Sequence, residues 1–107
     1  MNALPPLITQ HLEEVRALCE EYRVKRLTLF GSAVKGTFDE ATSDVDFVVE
    51  FLPEPDPIKA GRSQMRFWNE LETLFARKVD LVDLSAVRNP YLAASIRRHL
   101  LDLYEAA

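Results

Sequence analysis

Two carboxylates stand at the head of an apolar strand. Asp44 and Asp46 open the run Asp-Val-Asp-Phe-Val-Val-Glu-Phe, which ends at Phe51. Strands of this composition are buried, and a buried strand tolerates acids only when they are paired or hold a cation. Just upstream, residues 25–30 form a second strand-like run that stops at Gly31-Ser32, and Gly36 closes a short turn. Any fold for this chain must therefore place an Asp-x-Asp pair close to a glycine bend. The intervening residues 31–43 read as a loop with a helical turn from Ser32.

Alternation along the second strand puts Val45, Phe47, Val49 and Phe51 on one face and Asp44, Asp46, Val48 and Glu50 on the other. Residues two apart on a strand lie about 6.6 Å apart, so Asp44 and Asp46 reach the same ions. In two-metal phosphoryl-transfer sites the ions sit roughly 3.5–4 Å apart, a span such a pair bridges. A third acid on a neighbouring strand, about 4.8 Å across the sheet, completes the oxygen shell that Mg²⁺ prefers. Residues 78–84, Lys-Val-Asp-Leu-Val-Asp-Leu, supply a third strand, and Asp80 is the candidate. Asp83 points to the opposite face and is the weaker choice. Two like charges about 5 Å apart at an effective dielectric near 20 repel by roughly 3 kcal/mol. Three converging carboxylates therefore take up protons or recruit a cation. Taken alone, Asp-x-Asp reads more often as a turn cap after Ser43, with Asp80 ending a strand in solvent. The glycine bend and the acid in the third strand favour the metal site.

At the bend, Gly31 lets the backbone approach a ligand closely, and Ser32 adds a hydroxyl and an amide that favour anions. Lys35, three residues on, shares their side of a helical turn and is placed to meet a triphosphate. Gly-Ser by itself is an ordinary turn with a solvated lysine beyond it. Its position between two strands, ahead of the acids, is what gives it weight.

The rest of the chain supplies the frame. After Pro5-Pro6, the spacing of Ile8, Leu12, Val15, Leu18, Cys19 and Tyr22 predicts one amphipathic helix of about four turns. Pro53, Pro55 and Pro57 make an extended connector that follows the acid-bearing strand and so is a candidate border of the nucleotide site. Residues 58–76 are helical, with Met65, Trp68, Leu71, Leu74 and Phe75 on the apolar stripe, and Phe67, Trp68 and Phe75 are read as core rather than a base-stacking shelf. Asn89-Pro90 starts a closing helix whose stripe is Leu92, Ile96, Leu100 and Leu103. His11 and His99 take surface or helix-end positions, and Arg97-Arg98-His99 complements the dipole of the last helix. The class is α/β or α+β: a small mixed sheet of about three strands with helices packed on it.

Length and composition narrow the function. The 107 residues make one domain, 1–107, with 48% hydrophobic and 28% charged residues. A formal charge of −4 argues against direct binding of nucleic acid through its backbone. The lone Cys19 rules out an internal disulfide and points to a reducing cytoplasm, and Cys19 itself is an inert core thiol. No apolar run reaches the roughly 20 residues that a membrane helix needs, and no signal peptide is visible.

At Gly31, Ser32, Asp44, Asp46 and Asp80 the sequence resembles the nucleotidyltransferase superfamily related to DNA polymerase beta. The run Leu-Phe-Gly-Ser-x-x-x-Gly…Ser-Asp-x-Asp is similar to its smallest members, the minimal nucleotidyltransferase (MNT) antitoxins paired with HEPN-domain toxins. The resemblance spans about residues 25–84. It implies a polymerase beta palm-like fold and transfer of AMP from Mg²⁺-bound ATP to a tyrosine of a HEPN ribonuclease toxin, releasing pyrophosphate. Asp44 and Asp46 would hold two Mg²⁺ ions, Asp80 would bind the catalytic one and help deprotonate the attacking hydroxyl, and Gly31 and Ser32 would hold the β- and γ-phosphates. Lys35 stands where many relatives carry Arg, which turns a bidentate clamp into a point charge. The loop from Ser32 to Asp44 is one residue longer than the spacing commonest in the minimal group. So small a chain spends its elements on the metal platform, which leaves the acceptor to be brought by a partner protein. Two other readings stay open: a silent antitoxin that blocks its toxin by contact, and a small-molecule nucleotidyltransferase of the aminoglycoside type.

Overall fold

The computed structural model describes residues 6–30, 45–83 and 101–106. Two short helices, α1 (Pro6–Gln10) and α2 (Leu12–Glu21), precede strand β1 (Val24–Phe30). Strand β2 (Val45–Phe51), the long helix α3 (Pro57–Phe75) and strands β3 (Val79–Asp83) and β4 (Leu101–Glu105) follow. Among the described residues the sheet has four strands, in the order β3-β2-β1-β4. Strand β1 is antiparallel to both β2 and β4, and β3 is parallel to β2. The parallel pair follows from α3, because a chain that returns to the same end of a sheet needs a crossover of this length. Among the described residues, no helix is long and apolar enough to cross a membrane.

One face of the sheet carries the core. Leu27, Leu29, Val45, Phe47, Val49, Val79 and Leu103 pack against Ile8, Val15 and Cys19 of the first two helices and Phe67, Leu71 and Phe75 of α3. Strand alternation turns Thr28, Asp46, Val48 and Asp80 to the second face. The centre of that face is also closed: Thr28 and Val48 are buried, and the Thr28 hydroxyl donates to the Val48 carbonyl at 3.3 Å.

Several expectations from the sequence are corrected. Among the described residues the sheet has four strands, not about three, because residues 101–105 form an outer strand beside β1 where the apolar spacing suggested the end of a helix. Leu103 is buried as part of that strand. The proposed helix start at Asn89-Pro90, its stripe residues Leu92, Ile96 and Leu100, and Arg97, Arg98 and His99 lie outside the described residues. The first helix is two, broken at His11. There the ring packs edge-on against Phe75 at 5.5 Å, and Nδ1 lies 2.9 Å from the Glu14 carboxylate. Those contacts hold His11 as a joint, so the chain turns between α1 and α2. Met65 is 55% exposed rather than on the buried stripe, since Phe67, Leu71 and Phe75, spaced four apart, are the residues that face the sheet.

Helix α3 has clear punctuation. Pro57 occupies its first turn, and the Asp56 carboxylate accepts from the amides of Ile58 and Lys59 at 3.0 and 3.3 Å. It ends at Ala76, whose φ of 53° is left-handed. Within it sits Gly61, exposed, where an added Cβ would meet nothing within 4 Å. A glycine at an open helix position costs about 1 kcal/mol relative to alanine, so neither the helix nor the core accounts for it.

Candidate active site

The acids meet on one rung of the sheet. In the parallel ladder Asp46 of β2 is paired with Asp80 of β3, and the neighbouring pairs are Val45 with Val79 and Phe47 with Leu81. Paired residues on adjacent strands lie about 4.8 Å apart and project to the same side. Here that side is the face away from the helices, because Val45, Phe47 and Val79 are in the helix-side core. Both carboxylates are half-buried.

On the other side of β2, Asp46 is opposite Phe30, the last residue of β1. The chain therefore enters Gly31 within one residue of the Asp46 rung, since consecutive Cα atoms are about 3.8 Å apart. Asp44 directly precedes Val45 in the chain, and Val45 is on the adjoining rung. Gly31, Ser32, Lys35 and Asp44 themselves lie outside the described residues.

Asp83 is elsewhere. It is paired with Val49, near the far end of the sheet, and lines a cavity of about 500 Å³ with Arg23, Lys25, Glu50, Glu54 and Lys59. The proline connector borders this cavity through Glu54, away from the acidic rung. Glu54 ties its two walls together, 3.7 Å from Arg23 and 3.9 Å from Lys59.

Among the described strands β3 is at the sheet edge, and because the Lys78 carbonyl is the one that accepts from the Val45 amide of β2, at 3.3 Å, the amide and carbonyl of Val79 point away from β2. Both are taken by α3: the Val79 amide donates to the Glu72 carboxylate at 3.1 Å, and the Trp68 indole donates to the Val79 carbonyl at 2.6 Å. Two side chains one helical turn apart thus fix the residue immediately before Asp80. Neither was singled out for this role from the sequence. The available signal was Glu72, an acid on the half-buried side of α3 a few residues before a strand that opens on the edge.

Other titratable groups serve the frame. Burial, with a smaller contribution from Glu20, pushes the Cys19 thiol up to about 12. On the second face of the sheet, Arg26 of β1 forms a bidentate pair with Asp102 of β4 at 3.0 Å, which raises the guanidinium further.

The donor set suits a hard divalent cation: two carboxylates in register, half-buried, on one face. Among the described residues no group of three His, Cys, Asp or Glu side chains converges, so a third ligand has to come from outside them. In the sequence the nearest further acid is Asp44, two residues before Asp46.

Comparison with known proteins bears on the family and the fold. Residues 11–103 match the family model described as a nucleotidyltransferase domain. A proposed protein adenylyltransferase of Methanocaldococcus jannaschii, MJ0128, is 37% identical over 86 residues, covering 80% of this chain and 83% of that protein. Among solved structures, a proposed minimal nucleotidyltransferase superposes with a TM-score of 0.70 at 28% identity, covering 88% of this chain and 90% of that one. A tri-AMPylated Shewanella oneidensis HEPN toxin in complex with its MNT antitoxin gives a TM-score of 0.63 at 19% identity, covering 92% and 72%. At that identity the likeness is one of fold.

Proposed function

Because the chain belongs to the nucleotidyltransferase domain family, we propose that it transfers AMP from ATP to a tyrosine of a HEPN-domain ribonuclease toxin and so acts as that toxin's antitoxin. The observation that carries this reading is the shared rung of Asp46 and Asp80. The M. jannaschii relative named as a protein adenylyltransferase and the fold shared with an AMPylated toxin–antitoxin complex support a protein acceptor. A cytoplasmic setting, where ATP is plentiful, suits the reaction.

In this reading Asp44, Asp46 and Asp80 would hold two Mg²⁺ ions, which would supply charge neutralisation for the triphosphate. Gly31 and Ser32 seat the β- and γ-phosphates through backbone amides and a hydroxyl, with Lys35 as a further positive charge. The acceptor's phenolic oxygen attacks the α-phosphorus, the bond from that phosphorus to the bridging oxygen breaks, and pyrophosphate leaves. An Asp80 carboxylate oxygen takes the phenolic proton. Trp68 and Glu72 keep Asp80 in line by fixing Val79. Such sites act mainly by positioning and charge.

The test is to incubate the chain with ATP, Mg²⁺ and a HEPN-domain protein encoded beside it, then weigh that protein by mass spectrometry. The expected result is the addition of one or more adenylyl groups on tyrosine. Asp46→Asn and Asp80→Asn should each lower the rate by about 100-fold or more. Neutralised toxin of unchanged mass would establish a contact-only antitoxin instead, and full activity on a small alcohol without a partner would establish a small-molecule enzyme.

A further inference from the structure

Helix α3 presents a second surface with no part in the rung of acids. Its outward side carries Ile58, 73% exposed, and Met65, 55% exposed, with Gly61 and Arg62 between them. Positions 58, 61, 62 and 65 follow the i, i+3, i+4, i+7 spacing of a helix-packing seam. Arg66 flanks the seam, as does Lys59. From residue 57 to residue 69 there is no acid, in a chain whose net charge is −4.

Three features of this side work against the isolated domain. Two large apolar side chains face water, a glycine interrupts an exposed helix where a Cβ would have open space, and Lys59 stands in the first turn, at the positive end of the helix dipole. Local rules broken together on one surface mark a functional site more often than an accident. Lys59 is partly answered by Glu54 at 3.9 Å. Arg62 and Arg66 make no ion pair or hydrogen bond among the described residues.

From this we propose that the outward face of residues 58–66 docks an acidic amphipathic helix of the acceptor protein. The apolar pair Ile58 and Met65 provides the seam. Gly61 allows the partner's backbone to come close, and Arg62 and Arg66 answer carboxylates on the flanks of the incoming helix. A second copy of the same face is a poor occupant. A twofold axis through the seam would set Arg62 against Arg62 of the copy, and the like charges would repel.

The seam is remote from the chemistry. Met65 and Ile58 precede Phe75 by 10 and 17 residues, which places them about 15 and 25 Å along the helix from the end nearest Asp80. They also lie on the opposite layer from the acids. Docking there anchors the acceptor protein while another part of it reaches the rung. The inference rests on the protein-acceptor reading above, but its readout is affinity.

The experiment measures Kd by titration calorimetry between the intact chain and the HEPN-domain protein, for wild type, Gly61→Gln and the double variant Arg62→Glu/Arg66→Glu. Melting temperatures confirm that each variant folds. Both variants should bind about tenfold or more weakly, with the double variant also losing most of the salt dependence. In the transfer assay KM for the protein acceptor should rise by the same factor while kcat stays within about twofold. Wild-type affinity in both variants, a fall in kcat without a change in Kd, or no association of the wild-type chain would overturn the proposal. Wild-type self-association, abolished in the double variant, would assign the seam to a second copy and overturn it too. If no chain transfers AMP but the variants still lose affinity, the docking surface stands and the transfer reading fails. Asp46→Asn should do the reverse, losing transfer with Kd intact.

Discussion

Val79 has no chemistry of its own, yet the geometry of Asp80 depends on it. Its amide and carbonyl are held by Glu72 and Trp68, so the strand start cannot shift without breaking two hydrogen bonds. Trp68→Phe keeps an aromatic ring and removes the indole donor. It should cost about 1 kcal/mol of stability by denaturant titration and lower AMP transfer about tenfold, with Kd for the acceptor protein unchanged. At Cys19 the sign of the pH effect follows from the raised thiol. Burial favours the neutral form, so the stabilisation is complete below the ordinary value of 9.0 and is lost as pH rises toward about 12. Melting temperature should therefore fall between pH 9 and 11, and less steeply in Cys19→Ala than in wild type. The pairing of Asp46 and Asp80 was legible in the sequence because acids between valines, leucine and phenylalanine advertise themselves. The Trp68–Val79–Glu72 clamp was not, since it joins side chains to backbone atoms and leaves no periodic trace.

At the scale of elements, the ends of α3 decide how β2 hands the chain to β3. The helix terminates at Ala76 in the left-handed region, where a Cβ is strained. Ala76→Gly should raise stability by about 0.5–1 kcal/mol, read as a higher denaturant midpoint with an unchanged slope. Gly61→Ala should add about 1 kcal/mol by improving the helix. Helix α3 itself was plain from its apolar stripe and its length, and the structure gives it 19 residues. Strand β4 is ambiguous in the sequence because five residues with Leu101, Leu103 and Tyr104 satisfy both a helical and an alternating template. What decides the matter is distant: β1 has a free edge, and β4 pairs with it from Arg26–Glu105 to Leu29–Leu101. The split of the first helix at His11 escaped for the same reason, because Phe75 is brought there only by the fold.

For the whole molecule, a real nucleotide site must show itself as linkage. Mg²⁺ and ATP together should raise the melting temperature, by an amount worth about 2.7 kcal/mol at a hundredfold excess over Kd, and Asp46→Asn should abolish the rise. The exposed Arg26–Asp102 pair is a weaker contributor, and Asp102→Asn should cost less than about 1 kcal/mol. The partnership of β1 with β4 has a further consequence for biosynthesis. Asp102 meets Arg26 from 76 positions downstream, so during translation one side of β1 stays without its strand until that late segment has cleared the ribosome. Until then the nascent chain offers an open edge to its neighbours, and ribosome-bound intermediates should depend on holdase chaperones far more than the finished protein does.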